Sequence, residues 1–236
     1  GRRCKLGLGS SAALTVALVS ALAAWSGAAR AGAEDIEWLQ SLVDAHRAVQ
    51  GGKGSGIDVA ASAIGGVVSY RLHDDGTIAS AAPTILPENL MIACIWTGRP
   101  ASTGDFLAKL EIERRHRPQP VERALARLGE ISERGAVALA MNDSTRFLET
   151  IDEFWHALDS LGKSIEMPIL SEDHHRLRRI VEEFGMHYKP SGAGGGDFGL
   201  AISDDRTSVE ELSRRVAAKG FEVVDLPIDH DGVQED

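Results

Sequence analysis

The hydrophobic pattern predicts two helices and a β-hairpin in the first third of the chain. An apolar run over residues 12–24 has no polar face, which is typical of a buried helix. Apolar residues recur at helical spacing over residues 34–50 and predict a second, amphipathic helix. Residues 67–72 and 77–79 have the pattern of strands around an Asp74-Asp75-Gly76 turn, which predicts the hairpin.

Strands and helices alternate through the rest of the chain. Residues 90–96 form an apolar run of strand length, and Pro118 and Pro120 interrupt the helices that follow. Ser144 is the expected N-terminal cap of a long helix with an apolar stripe on one face. This alternation favours an α+β fold with helices on one face of a sheet. The other expected elements are helices over residues 102–115, 121–133, 136–141, 171–185 and 208–220 and strands over residues 186–188, 198–202 and 221–226.

Histidines on the predicted helices do not indicate a metal site. His174 and His175 are adjacent, and neighbouring helical side chains point about 100° apart, so they rarely reach one ion. We expect both to be solvated. His46 lies beside the apolar stripe of its helix and is expected at the edge of the core.

Three glycine-rich segments are the strongest candidates for chemistry. The first is Gly7-Leu8-Gly9-Ser10-Ser11-Ala12-Ala13, and the others span residues 52–58 and 189–197. Glycines let a backbone curl so that its N–H groups surround an anion. The helix expected after the first segment favours negative charge at its N-terminus. The first segment therefore predicts a site for the phosphates of ATP.

Two other interpretations fit the first segment alone. Basic residues precede the apolar run, as they do in a secretory signal peptide. Gly7, Gly9 and Ala12 also satisfy the dinucleotide-binding fingerprint, although the strand that it requires is not in the chain as given. Each of these alternatives explains one glycine-rich segment and leaves the other two without a role.

Composition narrows the classes of function further. The 236 residues carry a formal net charge of -10, which argues against a nucleic-acid binder. The apolar run is too short to span a membrane. Cys4 and Cys94 lie far apart in the sequence, so we expect free thiols without a functional role in a reducing cytoplasm. The chain begins without methionine at a loop that should follow a strand, so we expect it to lack an N-terminal segment. The oligomeric state of the protein is left open.

The three segments in this order resemble the galactokinase, homoserine kinase, mevalonate kinase and phosphomevalonate kinase (GHMP) family. The first segment is similar to the family's phosphate-binding loop, and residues 189–197 are similar to the loop that closes over nucleotide and substrate phosphates. The resemblance implies a two-domain α+β fold, with an incomplete N-terminal ATP-binding domain over residues 1–86 and a ferredoxin-like C-terminal domain over residues 87–236. It also implies ATP and Mg²⁺ as cofactors and a small-molecule acceptor.

Within this family, the phosphomevalonate kinases match best. Mevalonate kinases carry a second magnesium-binding glutamate where His46-Arg47 stand here, which weakens that alternative. The resemblance thus implies transfer of the γ-phosphoryl group of ATP to the phosphate of 5-phosphomevalonate. A non-catalytic, ligand-binding member of the family is a further alternative. The matching segments are His46-Arg47-Ala48-Val49-Gln50-Gly51, Gly54-Ser55-Gly56-Ile57-Asp58-Val59-Ala60-Ala61, Trp96-Thr97-Gly98-Arg99-Pro100-Ala101-Ser102-Thr103 and Lys189-Pro190-Ser191-Gly192-Ala193-Gly194-Gly195-Gly196-Asp197.

The resemblance also implies roles for individual residues. Asp58 matches the aspartate that mevalonate kinases use near the attacking hydroxyl, and Ser11 matches the magnesium-ligating serine. Lys53, Arg99 and Lys189 are the candidate cations between two polyanions, and Lys53 is expected to be catalytic together with Asp58. The ATP phosphates are expected at Gly7, Leu8, Gly9, Ser10, Ser11, Ala12, Gly194 and Gly195, and the acceptor at Gly54, Ser55, Arg99, Ser102, Thr103, Lys189, Ser191, Gly192 and Ala193.

The role expected of Asp58 depends on the acceptor. The pKa of an alcohol hydroxyl lies far above neutral pH, so its attack is helped by a nearby base that takes the proton. A phosphate monoester already carries an anionic oxygen at neutral pH, because its second pKa lies near about 6. With phosphomevalonate as the acceptor, we therefore expect Asp58 to orient the reacting groups rather than to act as an essential general base.

Overall fold

The structure, a computed structural model, describes residues 7–27, 32, 34–52, 54–100, 103–192, 194–205 and 207–234. The chain divides into two compact units. Unit 1 consists of Gly1–Gly7 and Pro87–Leu226, and unit 2 consists of Leu8–Leu86 and Pro227–Asp236. The assignment of the family's two domains to residues 1–86 and 87–236 stays a prediction.

Unit 2 packs three helices against a two-stranded antiparallel sheet. The helices are α1 (Ser10–Ser26), α2 (Ile36–Val49) and α3 (Ile57–Ile64), and the strands are β1 (Val67–Leu72) and β2 (Ile78–Thr84). The predicted hairpin turn is confirmed: the Asp75 carboxylate accepts from the N–H of Thr77 at 2.9 Å, and Gly76 adopts a φ of 84°. The core of this unit includes Ala12, Val16, Leu39, Leu42, Val43, Val59, Ala63, Ile64, Ile78 and Ala81.

Helix α1 is buried on one face only, so the expectation of a fully buried helix is wrong. Small residues spaced four apart, Ala12, Val16 and Ser20, face the interior of unit 2. Apolar composition does not show which face packs, because α1 has apolar side chains all round. No helix in the described parts of the chain, α1 included, is long and apolar enough to cross a membrane. The exposed face carries Leu14, Leu18, Leu22 and Trp25.

Unit 1 is built on a four-stranded antiparallel sheet in the order β4-β5-β3-β6. Its strands follow one another in a β–α–β–β–α–β sequence, and the described residues form four helices in the first crossover and one in the second. This is the ferredoxin-like arrangement that the family resemblance implied. Its elements are β3 (Met91–Trp96), α4 (Thr103–His116), α5 (Pro118–Ala140), α6 (Ser144–Ser164), α7 (Glu172–Glu182), β4 (His187–Pro190), β5 (Phe198–Ser203), α8 (Thr207–Ala218) and β6 (Glu222–Val224).

Two predicted helix boundaries in unit 1 are wrong. Pro118 and Pro120 lie in the first turn of α5, where a proline sacrifices no N–H that needs a partner. From there α5 runs unbroken through both stretches that were predicted as separate helices. The N-cap of α6 is Asp143 rather than Ser144, because the Asp143 carboxylate accepts from the N–H of Arg146 at 3.0 Å.

Candidate functional site

The first glycine-rich segment ends at the N-terminus of α1, in unit 2. Gly9 is the N-cap residue, has a φ of 69° and provides no side-chain cap. The first turn of α1 carries no acidic side chain. The N–H groups of a first turn have no partner within their own helix, and the helix dipole is positive there. This end of α1 can therefore bind an anion.

The hydroxyl of Ser11 lies beside two polar side chains of α2. His46 Nε2 is 3.2 Å from Ser11 Oγ, and the amide of Gln50 donates to the same oxygen at 3.3 Å. The Gln50 amide nitrogen also lies 2.9 Å from His46 Nε2, so this imidazole nitrogen acts as an acceptor. His46 is 4% exposed. It therefore belongs to the core, as expected, and also contacts the segment expected to bind phosphate.

Arg47 holds the second glycine-rich segment in place from α2. Its guanidinium donates to the carbonyls of Gly54 at 3.0 Å, Ser55 at 3.4 Å and Gly76 at 2.9 Å. The Tyr70 hydroxyl also donates to the Ser55 carbonyl, at 2.8 Å. Burial raises the pKa of Tyr70, so its phenol stays protonated as the donor. The chain therefore enters α3 along a path fixed by side-chain donors.

Asp58 lies in the first turn of α3, beside the first segment. A Cβ added to Gly9 would lie 3.5 Å from the Cβ of Asp58. One oxygen of the half-buried Asp58 carboxylate accepts from the N–H of Val59 at 3.1 Å. Unit 2 thus brings the acidic residue of the second segment next to the loop that begins α1.

The third glycine-rich segment, in unit 1, is held by backbone hydrogen bonds on both sides. The Gly194 carbonyl accepts from the N–H of Ser171 at 3.2 Å. The N–H of Asp197 donates to the Arg99 carbonyl at 2.7 Å, and the Asp197 carbonyl accepts from the N–H of Thr97 at 3.0 Å. The segment that contains Arg99 and the third segment therefore lie side by side.

The other residues expected at the ATP phosphates differ in exposure. Gly7, in unit 1, lies against Asp197: a Cβ there would come within 2.6 Å of the carboxyl group. Leu8, Ser10 and Gly195 are exposed, whereas Ala12 is buried in the core of unit 2. The side chain of Ala12 therefore packs, and only its N–H can serve an anion at the helix N-terminus.

His174 is not solvated, which corrects the expectation from the sequence. It is 0% exposed, with Nδ1 2.7 Å from the Tyr188 hydroxyl and Nε2 3.0 Å from the Gly196 carbonyl. His175 is half-buried and packs edge-on against Trp155. The polar sequence around these histidines did not indicate their burial, because the partners of His174 come from β4 and the third segment and that of His175 comes from α6.

The candidate cations stand in different environments. The Arg99 side chain is 80% exposed, with Nε 3.6 Å from a carboxylate oxygen of Asp173. Lys189 Nζ donates to the Pro190 carbonyl at 2.7 Å and lies over the ring of Phe154. Burial lowers the pKa of Lys189 to about 8. The exposed Arg99 side chain can therefore reorient toward an anion, whereas the Lys189 ammonium group is held by its contacts with Pro190 and Phe154.

Several expected site residues have little or no structural description. Lys53, Ser102 and Ala193 lie outside the described residues, and Thr103 is described only as the first residue of α4. Ser191 and Gly192 are exposed where the third segment begins. Roles for these six residues with the acceptor or in catalysis stay predictions.

The oxygen donors of unit 2 fit a magnesium ion that a nucleotide brings with it. Among the described residues, no group of three or more His, Cys, Asp or Glu side chains could hold a metal ion. Ser11 and Asp58 offer hydroxyl and carboxylate oxygens, and Mg²⁺ commonly takes one or two protein oxygens, with phosphates and waters completing its shell. A metal held by the protein alone does not fit this part of the chain.

The comparisons with known proteins agree with these observations. The family model "GHMP kinases N terminal domain" matches residues 4–66, and "GHMP kinases C terminal" matches residues 121–222. The first match includes the segment from Gly7 to Ala13. It therefore favours the phosphate-loop interpretation over a secretory signal or a dinucleotide fingerprint.

Individual relatives carry names of two enzyme activities. Phosphomevalonate kinase of Streptomyces sp. (strain CL190) is 30% identical over 95% of this chain and 64% of that protein, and mevalonate kinase of Bos taurus is 28% identical over 96% and 60%. Streptococcus pneumoniae phosphomevalonate kinase, solved in complex with phosphomevalonate and AMPPNP, shares the fold, with a TM-score of 0.74 and 23% identity over 95% of this chain and 69% of that chain. The chain spans 60% to 64% of the length of these two curated relatives. With both family models matched and the same mixed helix-and-sheet fold, the chain belongs to the GHMP kinase family.

Proposed function

We propose that this chain contains the phosphate-binding loops of an ATP-dependent phosphomevalonate kinase. Such an enzyme transfers the γ-phosphoryl group of ATP to the phosphate of 5-phosphomevalonate and releases 5-diphosphomevalonate and ADP. The observation that carries the proposal is the placement of Asp58 beside Gly9, in the unit that also holds Ser11. The Streptomyces phosphomevalonate kinase, 30% identical to this chain, supports this choice of acceptor.

The proposed mechanism depends on alignment and charge neutralisation, which phosphoryl transfer needs more than covalent chemistry. The N–H groups of Ser10, Ser11 and Ala12 hold phosphate oxygens at the N-terminus of α1. The hydroxyl of Ser11 would hold an Mg²⁺ ion that enters with the nucleotide, and this ion would supply positive charge to the phosphates. The N–H groups of Gly194 and Gly195 contribute further donors to the nucleotide phosphates.

Residues of the second glycine-rich segment and residues of the third are each proposed as acceptor contacts, and Arg99, Lys189 and Lys53 are the proposed cations that offset the repulsion of two polyanions. Gly54, Ser55, Ser102, Thr103, Ser191, Gly192 and Ala193 complete the proposed acceptor contacts. Asp58 orients the acceptor and the cations around it. A phosphate acceptor is already ionised at neutral pH, so the step needs no obligatory proton transfer to Asp58.

The cytoplasmic location expected from the sequence also stays a prediction.

Mevalonate is the alternative acceptor, because the mevalonate kinase of Bos taurus is 28% identical to this chain. We favour phosphomevalonate because the imidazole of His46 and the amide of Gln50 stand beside Ser11. ADP release from the full-length natural protein, measured with each acceptor in turn, separates the two. We expect turnover with phosphomevalonate and none with mevalonate. Activity on mevalonate alone would overturn the choice of acceptor.

The role of Asp58 is tested by Asp58→Asn, which removes the charge but keeps an oxygen for the N–H of Val59. We expect kcat to fall by about 10-fold to 100-fold, at or below the low end of the loss typical of a general base. Asp44→Asn is the matched control, since the Asp44 side chain is 61% exposed, and it should leave kcat unchanged. An unchanged kcat in Asp58→Asn would remove Asp58 from the mechanism. A wild-type protein that releases no ADP with either acceptor would favour the non-catalytic alternative.

A further inference from the structure

A buried pair of polar side chains, His174 and Tyr188, lies directly behind the third glycine-rich segment. Both residues are 0% exposed. The Tyr188 hydroxyl lies 2.7 Å from His174 Nδ1, and His174 Nε2 lies 3.0 Å from the carbonyl oxygen of Gly196. The pair thus connects strand β4, helix α7 and the glycine-rich segment through two hydrogen bonds.

The chemistry of the partners fixes the direction of both hydrogen bonds. The Gly196 carbonyl can only accept, so Nε2 of His174 carries the proton and donates to it. In a neutral imidazole Nδ1 is then an acceptor, and the Tyr188 hydroxyl donates to it. Burial lowers the pKa of His174 and raises the pKa of Tyr188, so both groups are neutral. The Gly196 carbonyl therefore selects the imidazole tautomer, and the Tyr188 hydroxyl supplies the donor that Nδ1 needs in that tautomer.

The position of the Tyr188 hydroxyl is itself restricted by its surroundings. A Cβ on Gly199 would clash with the Tyr188 hydroxyl oxygen, so the tyrosine occupies space that only a glycine leaves open. Trp155 packs edge-on against the Tyr188 ring, with ring centroids 5.7 Å apart. A buried, fully hydrogen-bonded group held on two sides has little freedom to move, and its loss leaves polar atoms without partners.

The first turn of α7 supports two carbonyls of the glycine-rich segment. The N–H of Ser171 donates to the Gly194 carbonyl at 3.2 Å, two residues before the carbonyl that His174 holds. The carbonyl and the following N–H of a trans peptide point in opposite directions. Turning the Gly194 carbonyl toward α7 therefore turns the N–H of the exposed Gly195 away from it, toward solvent.

We propose that His174 is a positioning residue, which holds the segment from Gly194 to Asp197 in the shape that presents the N–H of Gly195 to a phosphate. Tyr188 acts one step further back, by donating to Nδ1 and so holding the imidazole of His174 against the Gly196 carbonyl. This inference rests on the proposed function, because it assigns the segment to phosphate binding. It adds two buried residues that do not touch the substrate.

Two amide substitutions distinguish the effect of the hydrogen bond to Gly196 from the effect of replacing the histidine ring. The side-chain amide of His174→Gln reaches about as far as Nε2 and can still donate to the Gly196 carbonyl, whereas that of His174→Asn reaches only as far as Nδ1. In the full-length natural protein we expect kcat/KM for MgATP to fall at least about tenfold in His174→Asn and less than about threefold in His174→Gln, a difference of the size that one buried hydrogen bond gives. Equal losses in the two variants would overturn the inference, since a purely structural role predicts no such split.

Tyr188→Phe supplies a second, conservative test that does not depend on how well the histidine variants fold. It should lower kcat/KM in the wild-type background, because Nδ1 then loses its donor and the imidazole is held less firmly against the Gly196 carbonyl. It should cause no further loss in His174→Gln, since an amide donates without help from Tyr188. Nitrogen NMR of labelled histidine should show Nε2 protonated in both proteins, with Nδ1 accepting a hydrogen bond in the wild type and accepting none in Tyr188→Phe. A wild type that is protonated on Nδ1, or equal losses in both backgrounds, contradicts the proposal.

Amide hydrogen exchange distinguishes failure of this inference from failure of the proposed function. Exchange at Asp197 should be faster in His174→Asn than in His174→Gln, whether or not the protein turns over ATP. A wild-type protein that is inactive with both acceptors overturns the proposed function, and the exchange rates and the tautomer then decide the inference. An active wild type whose two amide variants behave alike overturns the inference and leaves the proposed function standing.

Discussion

Gly51 and Gly56, at the two ends of one loop, separate the effect of backbone conformation from that of packing. Both adopt a positive φ, of 71° and 85°. Among the described atoms, nothing lies within 4 Å of the place where a Cβ on Gly51 would stand. A Cβ on Gly56 would come within 2.6 Å of Val43 and 3.0 Å of the Tyr70 hydroxyl oxygen. Any L-residue is strained at either position, but only at Gly56 does it also overfill the core.

We therefore expect Gly56→Ala to lower the free energy of unfolding by about 2–4 kcal/mol, with about 1 kcal/mol from strain and the rest from overpacking. Gly51→Ala is the matched control and should lose about 1 kcal/mol, the strain contribution alone. Urea unfolding followed by circular dichroism measures both losses. If the two variants lose the same free energy, the close approach of Val43 contributes nothing.

The residues of the candidate site differ in how far the sequence could predict them. Gly9, Ser11 and Asp58 carry local signals: glycines in a row, a hydroxyl at a helix start and an acid after a glycine loop. His174 and Tyr188 carry none, because they lie on different elements and meet only when β4 packs beside α7. Their pairing depends on tertiary packing, which a local sequence pattern does not encode.

Among the elements of unit 2, helix α2 is joined to the second glycine-rich segment and to the β1–β2 turn by one side chain. The Arg47 side chain is 19% exposed and donates to carbonyls of Gly54, Ser55 and Gly76. Its salt bridge with Asp44 is 3.7 Å long, and the carboxylate is 61% exposed. The carbonyl contacts should therefore matter more to stability than the ion pair, which water screens.

Arg47→Met should lower the free energy of unfolding by about 1–3 kcal/mol, because it leaves backbone carbonyls without their charged donor. Arg47→Lys, which reaches fewer carbonyls at once, should fall between this variant and the wild type. Asp44→Ala is the control and should change the value by no more than about 0.5 kcal/mol. Denaturant unfolding ranks the three. A loss in Asp44→Ala as large as that in Arg47→Met would mean that the ion pair, not the carbonyls, supplies the stability.

Strand β4 and helix α6 are linked by an ion pair whose strength depends on pH. His187 Nδ1 lies 2.7 Å from a carboxylate oxygen of Asp152, and this hydrogen bond raises the pKa of His187 in the folded state. A raised folded-state pKa stabilises the protein below the ordinary histidine pKa of about 6.5, and this stability is lost as the pH rises through the raised value. Both side chains are partly exposed, so the contribution is at most about 1 kcal/mol.

The wild type should therefore lose more stability than His187→Gln between pH 5.5 and pH 8, by about 1 kcal/mol or less. Thermal unfolding of both proteins at the two pH values measures this difference, and other titrating groups cancel in the comparison. A wild type that loses less stability than the variant over this range would reverse the assigned direction of the His187 pKa shift.

Whole elements were easier to predict than their ends and their exposure. The apolar stripe of α6 and the run in β3 predicted core elements, and the structure buries Trp155 and Ile95 within them. The predicted start of α5 was wrong because a proline can either end a helix or lie in its first turn. The outward face of α1 could not be predicted, because an apolar sequence indicates that a surface prefers to be covered but not that it is.

The net charge of the whole molecule has to be reconciled with the proposed binding of two polyanions. With a formal net charge of -10, the chain as a whole repels phosphate. Burial lowers the pKa of Lys189 to about 8, so Lys189 loses its positive charge as the pH rises through that value. Helix N-terminal N–H groups attract anions without adding a formal charge. A divalent cation that enters with the nucleotide is therefore expected to supply much of the missing positive charge.

Metal removal tests this expectation through the stability of the full-length natural protein. A ligand that binds the folded state raises its stability in proportion to RT ln(1 + [L]/Kd), so the melting temperature reports affinity. ATP with Mg²⁺ should raise the wild-type melting temperature more than ATP with a chelator does. In Ser11→Ala the extra increment from Mg²⁺ should shrink, by about 1.4 kcal/mol for each tenfold loss of affinity, while the increment from ATP with chelator remains. Ser10→Ala is the matched control, because Ser10 is an exposed neighbour in the same helical turn, and it should keep the full Mg²⁺ increment. An equal Mg²⁺ increment in Ser11→Ala and the wild type would rule out Ser11 as a metal ligand, and the charge would then have to come from the protein's own cations.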